Sequence, residues 1–210
     1  MKIIVLSPST GDPLVETTLL VKLFELGLET FHLRKPRFST NEMKAYLDLV
    51  PPQFHNRIVI HSHHRLCLHY GLKGIHLTRT HMKRKFRLWL NLRLIHMKRS
   101  RITISTSFRK LASLYEEENK YDYVFLSPIF DSISGKFQAG FNVHSLKAAI
   151  QKTPFTIIAR GGVDLDKIPK IQEVGFYGLT LNSSLWNSPD PPAEFIKILD
   201  ELKRLDISLE

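Results

Sequence analysis

The chain has 210 residues, of which 43% are hydrophobic and 24% charged. These are ordinary globular values and exclude a disordered, collagen-like or coiled-coil chain. One cysteine, Cys67, excludes an intrachain disulfide and a Cys-based zinc finger and makes a reducing cytoplasm the default setting. With 30 Lys+Arg against 20 Asp+Glu, the net charge is +10, a field that attracts anions such as nucleic acid, acidic lipid or phosphorylated metabolites.

In chain order, Met1-Lys2-Ile3-Ile4-Val5-Leu6-Ser7 reads as a strand, too short to be a signal peptide. No apolar run approaches the ~20 residues of a membrane span. Predicted strands are Ile3–Leu6, Thr30–Leu33, Arg57–Ile60, Gly74–Leu77, Ile102–Ser105, Tyr123–Leu126, Phe155–Ala159 and Tyr177–Leu181. Most lack polar alternation, which suits strands buried on both faces of a parallel sheet. Between them run helical patterns. Met43, Tyr46, Leu47 and Val50 repeat at helical spacing behind a Ser39/Glu42 capping box. Phe195, Ile198, Leu199 and Leu202 do the same after Pro191-Pro192. Gly27 and Gly175 fall where helices would end. Cys67, inside Leu66-Cys67-Leu68, reads as core.

Eight βα units predict an α/β fold, a (β/α)8 TIM barrel filling residues 1–210 as one domain near the short end of the usual range. An open doubly wound sheet competes, but no Gly-x-Gly-x-x-Gly turn follows the first strand. The segment 82–101 carries eight Lys or Arg residues interleaved with Phe86, Trp89 and several leucines. It reads as an outer helix with a solvated basic face in preference to a nucleic-acid or membrane surface, because the fourth helix must lie there.

Barrel function gathers at the C-terminal ends of the strands. Those positions hold His32, Arg34 and Lys35; His61, Ser62, His63 and His64; His76, Arg79 and His81; Ser105 and Ser107; Arg160, Gly161 and Gly162; and Asn182, Ser183 and Ser184. Gly161-Gly162 with Ser183 and Ser184 after strands 7 and 8 predicts a phosphate grip of backbone N–H and hydroxyl donors. The histidines offer nitrogen donors of the kind a transition metal takes. Carboxylates are scarce at these ends, however, and barrel histidines more often hydrogen-bond internally, so no metal ligands are assigned. No Ser-His-Asp, Cys-His or paired-carboxylate arrangement is present in a defensible order.

Four stretches carry a resemblance: Phe31-His32-Leu33-Arg34-Lys35, Gly74-Ile75-His76-Leu77, Tyr123 to Phe130 (YVFLSPIF), and Ala159-Arg160-Gly161-Gly162-Val163. In this order they resemble the thiamine-phosphate synthase and TenI family over nearly the whole chain. The resemblance implies a (β/α)8 barrel and a transferase of thiamine biosynthesis. Such an enzyme joins hydroxymethylpyrimidine pyrophosphate to thiazole phosphate with Mg²⁺ assistance and releases pyrophosphate. The alternatives are a TenI-like thiazole tautomerase and a non-catalytic binder of a phosphorylated thiazole or thiamine ligand.

Residue by residue, Arg34 matches the family's pyrophosphate-contacting arginine, while His32 stands in place of a glutamine and Pro36 in place of a lysine. His61-Ser62 stand where Asn-Asp is usual, and His81 where a second metal-binding aspartate is usual. Ser105 matches a family serine, and Ser107 replaces a histidine. Ser132 and Ser134 match two threonines, and Lys136 lies one place beyond the usual lysine. Pro128 matches the synthases, not the histidine of TenI tautomerases. Gly161, Gly162 and Ser183 match the thiazole-phosphate grip. The resemblance thus implies Arg34, Lys136, Ser105 and His32 as catalytic residues. Substrate would be bound by Ser132, Ser134, Arg160, Gly161, Gly162, Asn182, Ser183, His61 and His81. Mg²⁺ is the implied cofactor, but its usual carboxylates are absent. The implied partner is a phosphorylated small molecule, with neither membrane nor nucleic acid. Barrels commonly pair through outer helices, so a homodimer is the assembly to test for.

Overall fold

The computed structural model describes residues 1–83, 92–95, 97, 101–131 and 141–209. Eight strands form: β1 Lys2–Leu6, β2 Phe31–Leu33, β3 Ile58–Ile60, β4 Gly74–Leu77, β5 Thr103–Phe108, β6 Tyr123–Leu126, β7 Ile157–Arg160 and β8 Gly178–Leu181. Every residue of β2, β3, β4, β6 and β8 is buried, the physical reason that their sequences run apolar without alternation. The strands follow one another in chain order as a closed barrel. β8 pairs in parallel with β1, in a register from Lys2 opposite Gly178 to Val5 opposite Leu181. The (β/α)8 TIM barrel is therefore the fold.

β4 and β6 have the expected boundaries; β1, β2, β3 and β8 each differ by one residue at their start, and β5 and β7 differ at both ends. β5 extends to Phe108, whose carbonyl accepts from Ser127 N–H at 2.9 Å, so pairing outlasts the apolar run. β7 runs from Ile157 to Arg160, starting two residues later and ending one residue later than expected.

By packing, the chain divides into two compact units, Leu6–Ser105 and Met1–Val5 with Thr106–Glu210. In the first, helix α1 (Pro13–Glu25) starts on Asp12, whose carboxylate accepts from Leu14 N–H, and buries Leu20, Leu23 and Phe24. Gly27 follows its end at φ +102°. Helix α2 (Thr40–Asp48) carries the expected reciprocal Ser39/Glu42 capping box and buries Met43, Tyr46 and Leu47; Val50 is buried just beyond it. Phe24 stacks on Phe54 at 5.1 Å and meets Phe31 edge-on. Cys67 lies buried in the short helix α3 (Leu66–His69), and helix α4 spans Arg79–Lys83.

In the second unit, Ile4, Tyr123, Phe125 and Ile158 form a core cluster. Around it lie α5 (Ala112–Glu116), α6 (Val143–Lys152), α7 (Ile168–Val174), α8 (Ser183–Trp186) and α9 (Pro191–Arg204). Asn142 caps α6 by accepting from Ser145 N–H at 2.8 Å. Gly175 ends α7 in the left-handed region, as its sequence position predicts. α9 begins at Pro191 and buries Phe195, Ile198 and Leu202. Of the basic segment, 92–95 is helical with Ile95 buried; most of its Lys and Arg residues lie outside the described residues. Among the described residues, no helix is long and apolar enough to cross a membrane.

One polar network lies within the first unit. Lys35, 1% exposed, pairs with Glu16 and donates to the Pro8 carbonyl at 2.8 Å. Tyr46 Oη donates to the other Glu16 oxygen at 2.7 Å. Burial pushes the Glu16 carboxyl up, against both hydrogen bonds, and pushes the Tyr46 phenol up as well. A buried ion pair adds little net stability, yet removing one partner strands the other charge. Glu16→Ala is expected to lower the unfolding free energy by about 3–5 kcal/mol in urea titration. An unchanged midpoint would show that water reaches Lys35.

Candidate functional site

The ends of β7 and β8 build a cleft within the second unit. Arg160 closes β7; its Nη1 donates to Ser107 Oγ at 3.4 Å, and its guanidinium lies over the Phe125 ring at 5.7 Å. The next two residues turn sharply, Gly161 at φ +92° and Gly162 at φ +66°. A Cβ on Gly161 would sit 3.0 Å from Pro128, and one on Gly162 would sit 2.8 Å from Phe130 Cβ and O. The loop after β6 presses on this turn: Ile129 and Phe130 N–H donate to the carbonyls of Arg160 and Gly161 at 2.9 and 3.1 Å. Packing and backbone conformation thus require both glycines.

Gly162, Val163, Ser183, Ser184 and Asn187 line a cleft of about 600 Å³, together with Asp131, Asp164, Asp166 and Glu194. Lys167 pairs with Asp164 at 3.5 Å and Lys197 with Glu194 at 3.1 Å, which offsets two of the carboxylates. Ser183 is exposed at the start of α8. Ser184, read as a ligand donor, instead gives its hydroxyl to the Val163 carbonyl at 2.8 Å. Asn182 is half-buried at the N-cap. Thr180 Oγ1, buried on β8, has no hydrogen-bond partner among the described residues. It is a polar atom that the apolar reading of that strand passed over.

The first unit gathers histidines. His32 on β2 is fully buried, and its Nδ1 lies 2.9 Å from His61 Nε2. The His61 and His76 rings stack at 4.1 Å, and His76 Nδ1 meets Ser105 Oγ at 2.9 Å. Ser105 has no exposed surface. His32, Ser105 and His61 are thus joined in one buried polar cluster with His76. His81 Nδ1 accepts from the Thr78 hydroxyl at 2.9 Å, and its ring lies 4.5 Å from that of His64.

Arg34 is exposed beyond β2, and its backbone is held on both sides by Ser7. The Ser7 hydroxyl accepts from Arg34 N–H at 2.8 Å and donates to Arg34 O at 3.1 Å. Sequence reasoning left Ser7 at the end of a strand with no role. Its signal was a lone hydroxyl where β1 stops being apolar. Lys35 is withdrawn from any site by its bond to Glu16. Ser132, Ser134 and Lys136 lie outside the described residues.

A family model described as thiamine monophosphate synthase matches residues 5–185. The chain belongs to that family. Among thiamine monophosphate synthase relatives, the thiamine-phosphate synthase of Photorhabdus laumondii is 23% identical over 175 residues, 80% of this chain and 78% of that protein. That of Vibrio campbellii is 33% identical over 73 residues, so the matched stretch spans about a third of each chain, 34% and 36%. The crystal structure of thiamine phosphate pyrophosphorylase from Bacteroides thetaiotaomicron superposes with a TM-score of 0.75 at 27% identity, covering 99% of this chain and 100% of that one. The thiamine phosphate pyrophosphorylase from Pyrococcus furiosus, at 13% identity and a TM-score of 0.73, covers 97% and 96% and supports the fold.

Two consequences of this geometry are measurable. Gly162→Ala meets both a left-handed backbone and Phe130, whereas Gly175, at φ +92°, has open space around its Cβ position. Gly162→Ala is expected to cost about 1–3 kcal/mol more than Gly175→Ala in denaturant unfolding. Equal losses would remove the contact with Phe130 as a constraint.

Burial pushes the His64 imidazole down from 6.5 to about 4; the nearby His81 adds to this, and backbone bonds to His76 and His61 oppose it. The unfolded chain takes up this proton first. The contribution is therefore complete above pH 6.5 and is lost as pH falls through 4. Roughly 3 kcal/mol of stability should disappear over that window, and His64→Gln should flatten the slope of unfolding free energy against pH. A slope identical in the variant would refute this assignment.

Proposed function

We propose that the chain is a thiamine-phosphate-synthase-like transferase. It joins hydroxymethylpyrimidine pyrophosphate to thiazole phosphate and releases pyrophosphate, with a degenerate Mg²⁺ site. The observation that carries this reading is the cleft at the ends of β7 and β8, with the Gly161-Gly162 turn and exposed Ser183, in a chain of this family. Donors of Gly162 and Ser183 would hold a phosphate there against the repulsion of the carboxylates in the lining, two of which Lys167 and Lys197 offset. The positive net charge draws multiply phosphorylated substrates toward the molecule.

Mg²⁺ takes hard oxygen ligands, usually one or two carboxylates with waters and substrate phosphates. The residues at the corresponding positions are His61, Ser62 and His81, two imidazoles and a hydroxyl. Imidazole nitrogen is a poor match, His61 is packed against His32 and His76, and His81 is engaged by Thr78. This donor set does not fit Mg²⁺, and no step here is routed through it.

In the proposed reaction the pyrimidine methylene C–O bond breaks, and pyrophosphate leaves with the electron pair. The thiazole nitrogen lone pair then forms the new C–N bond. The family resemblance gives Arg34 and Lys136 the role of neutralising the departing pyrophosphate. Ser7 holds the Arg34 backbone at both its N–H and its carbonyl, which fixes the point from which the side chain leaves the strand. Gly161, Gly162, Asn182 and Ser183 hold the thiazole phosphate, and Arg160, fixed by Ser107 and Phe125, adds positive charge. The lone buried Cys67 suits a cytoplasmic enzyme.

A second reading, a non-catalytic binder of phosphorylated thiazole or thiamine ligands, is favoured by the complete burial of His32 and Ser105. The tautomerase reading lacks an imidazole at Pro128. Purified chain incubated with both phosphorylated halves is expected to form thiamine phosphate, and Arg34→Gln to lower kcat about 10²-fold. Absence of product at enzyme concentrations matching substrate rejects the synthase. Tight calorimetric binding of thiazole phosphate without turnover then selects the binder.

A further inference from the structure

Three imidazoles from consecutive βα units meet inside the first unit. His32 lies on β2, His61 directly follows β3, and His76 lies on β4. Parallel register brings these strands together, with Leu33 opposite Ile60 and Ile60 opposite Ile75. The three side chains are 0%, 5% and 3% exposed. One ring nitrogen from each lies within 4.8 Å of the others. Barrel interiors are ordinarily filled by branched apolar side chains. Three buried imidazoles forgo that packing and keep polar atoms out of water, a cost that a bound ion offsets.

We propose that His32, His61 and His76 form a binding site for a divalent transition-metal ion of the Zn²⁺ or Co²⁺ class. The three donors are all nitrogen, which suits these ions and not Mg²⁺ or Ca²⁺. A tetrahedral ion with Zn–N distances of about 2.0–2.1 Å holds its ligand nitrogens about 3.3 Å apart. His32 Nδ1 and His61 Nε2, at 2.9 Å, need only a small separation, and His76 closes by a modest side-chain shift. In the metal-free cluster one of the first two rings donates a proton to the other. The metal replaces that hydrogen bond, and the proton moves to the second nitrogen of the donating ring. Ser105 Oγ at His76 Nδ1 supplies the outer hydrogen bond that orients a ligating imidazole through its other nitrogen. His64 Nε2 donates to the His76 carbonyl at 3.2 Å and fixes the backbone there. Three neutral ligands leave a fourth position for a water-derived hydroxide that offsets part of the ion's charge. The site stands independently of the proposed reaction, since its test reads metal and not product.

The test uses tag-free full chain, stripped with chelator and titrated with Co²⁺. One Co²⁺ per chain is expected, with the visible absorption of four-coordinate cobalt and its loss on adding Zn²⁺. His61→Gln and His76→Gln are expected to abolish that spectrum. Ser105→Ala is expected to weaken binding about tenfold. His144→Ala, at an exposed histidine, is expected to leave binding unchanged. X-ray absorption of Zn²⁺-loaded wild-type chain, expected to show three imidazoles at about 2.0 Å, covers the case in which a core variant fails to fold. No cobalt spectrum in the wild type, an unaltered spectrum in folded His61→Gln, or fewer than three imidazoles in the absorption data would each overturn the site.

Discussion

Pairing β8 back onto β1 commits every strand to a neighbour on both sides and to cover on both faces. Apolar side chains consequently fill most strand positions outside β5, and polar residues gather where the strands stop. Arg34, His61, Gly161 and Asn182 all follow the last residue of their strands. The same closure limits what the short strands can carry. β2 and β3 have three residues each, so a single polar side chain, His32, occupies a third of β2.

The two proposed anion contacts differ in kind. At the β7 and β8 ends, tight backbone and a hydroxyl shape the cleft, and carboxylates in its lining keep the local field moderate. In the other unit, Arg34 offers a full charge from a backbone pinned by Ser7. Beyond the ends of β3 and β4 stand imidazoles engaged within the protein: His61 is bonded to His32 and stacked on His76, and His81 is bonded to Thr78. Changing donor type alters which ions can be held without altering the strands beneath, because His61 and His81 lie beyond strand ends.

Much of this was legible in the sequence. Unalternating apolar runs gave β4 and β6 with their boundaries, and the Ser39/Glu42 spacing gave the start of α2, because local patterns suffice there. The Gly161-Gly162 turn was legible as a sharp bend, but its contact with the loop after β6 depends on which strands are neighbours. The fates of Lys35 and Ser7 were hidden for a related reason. Lys35 resembles a substrate-facing lysine until Glu16, nineteen positions earlier, is seen beside it. Ser7 resembles a strand-end residue until Arg34 is paired with it. The histidine contacts are likewise nonlocal: six strand-end histidines gave no sign of which three would meet.

The pair of hydrogen bonds between Ser7 and Arg34 has an evolutionary corollary. One small hydroxyl anchors a single amino acid at both its amide and its carbonyl, so the scaffold grips the main chain and is indifferent to the head group that projects from it. Descendants of this protein could exchange arginine for another side chain and acquire a different appetite for ligands while inheriting the same foundation.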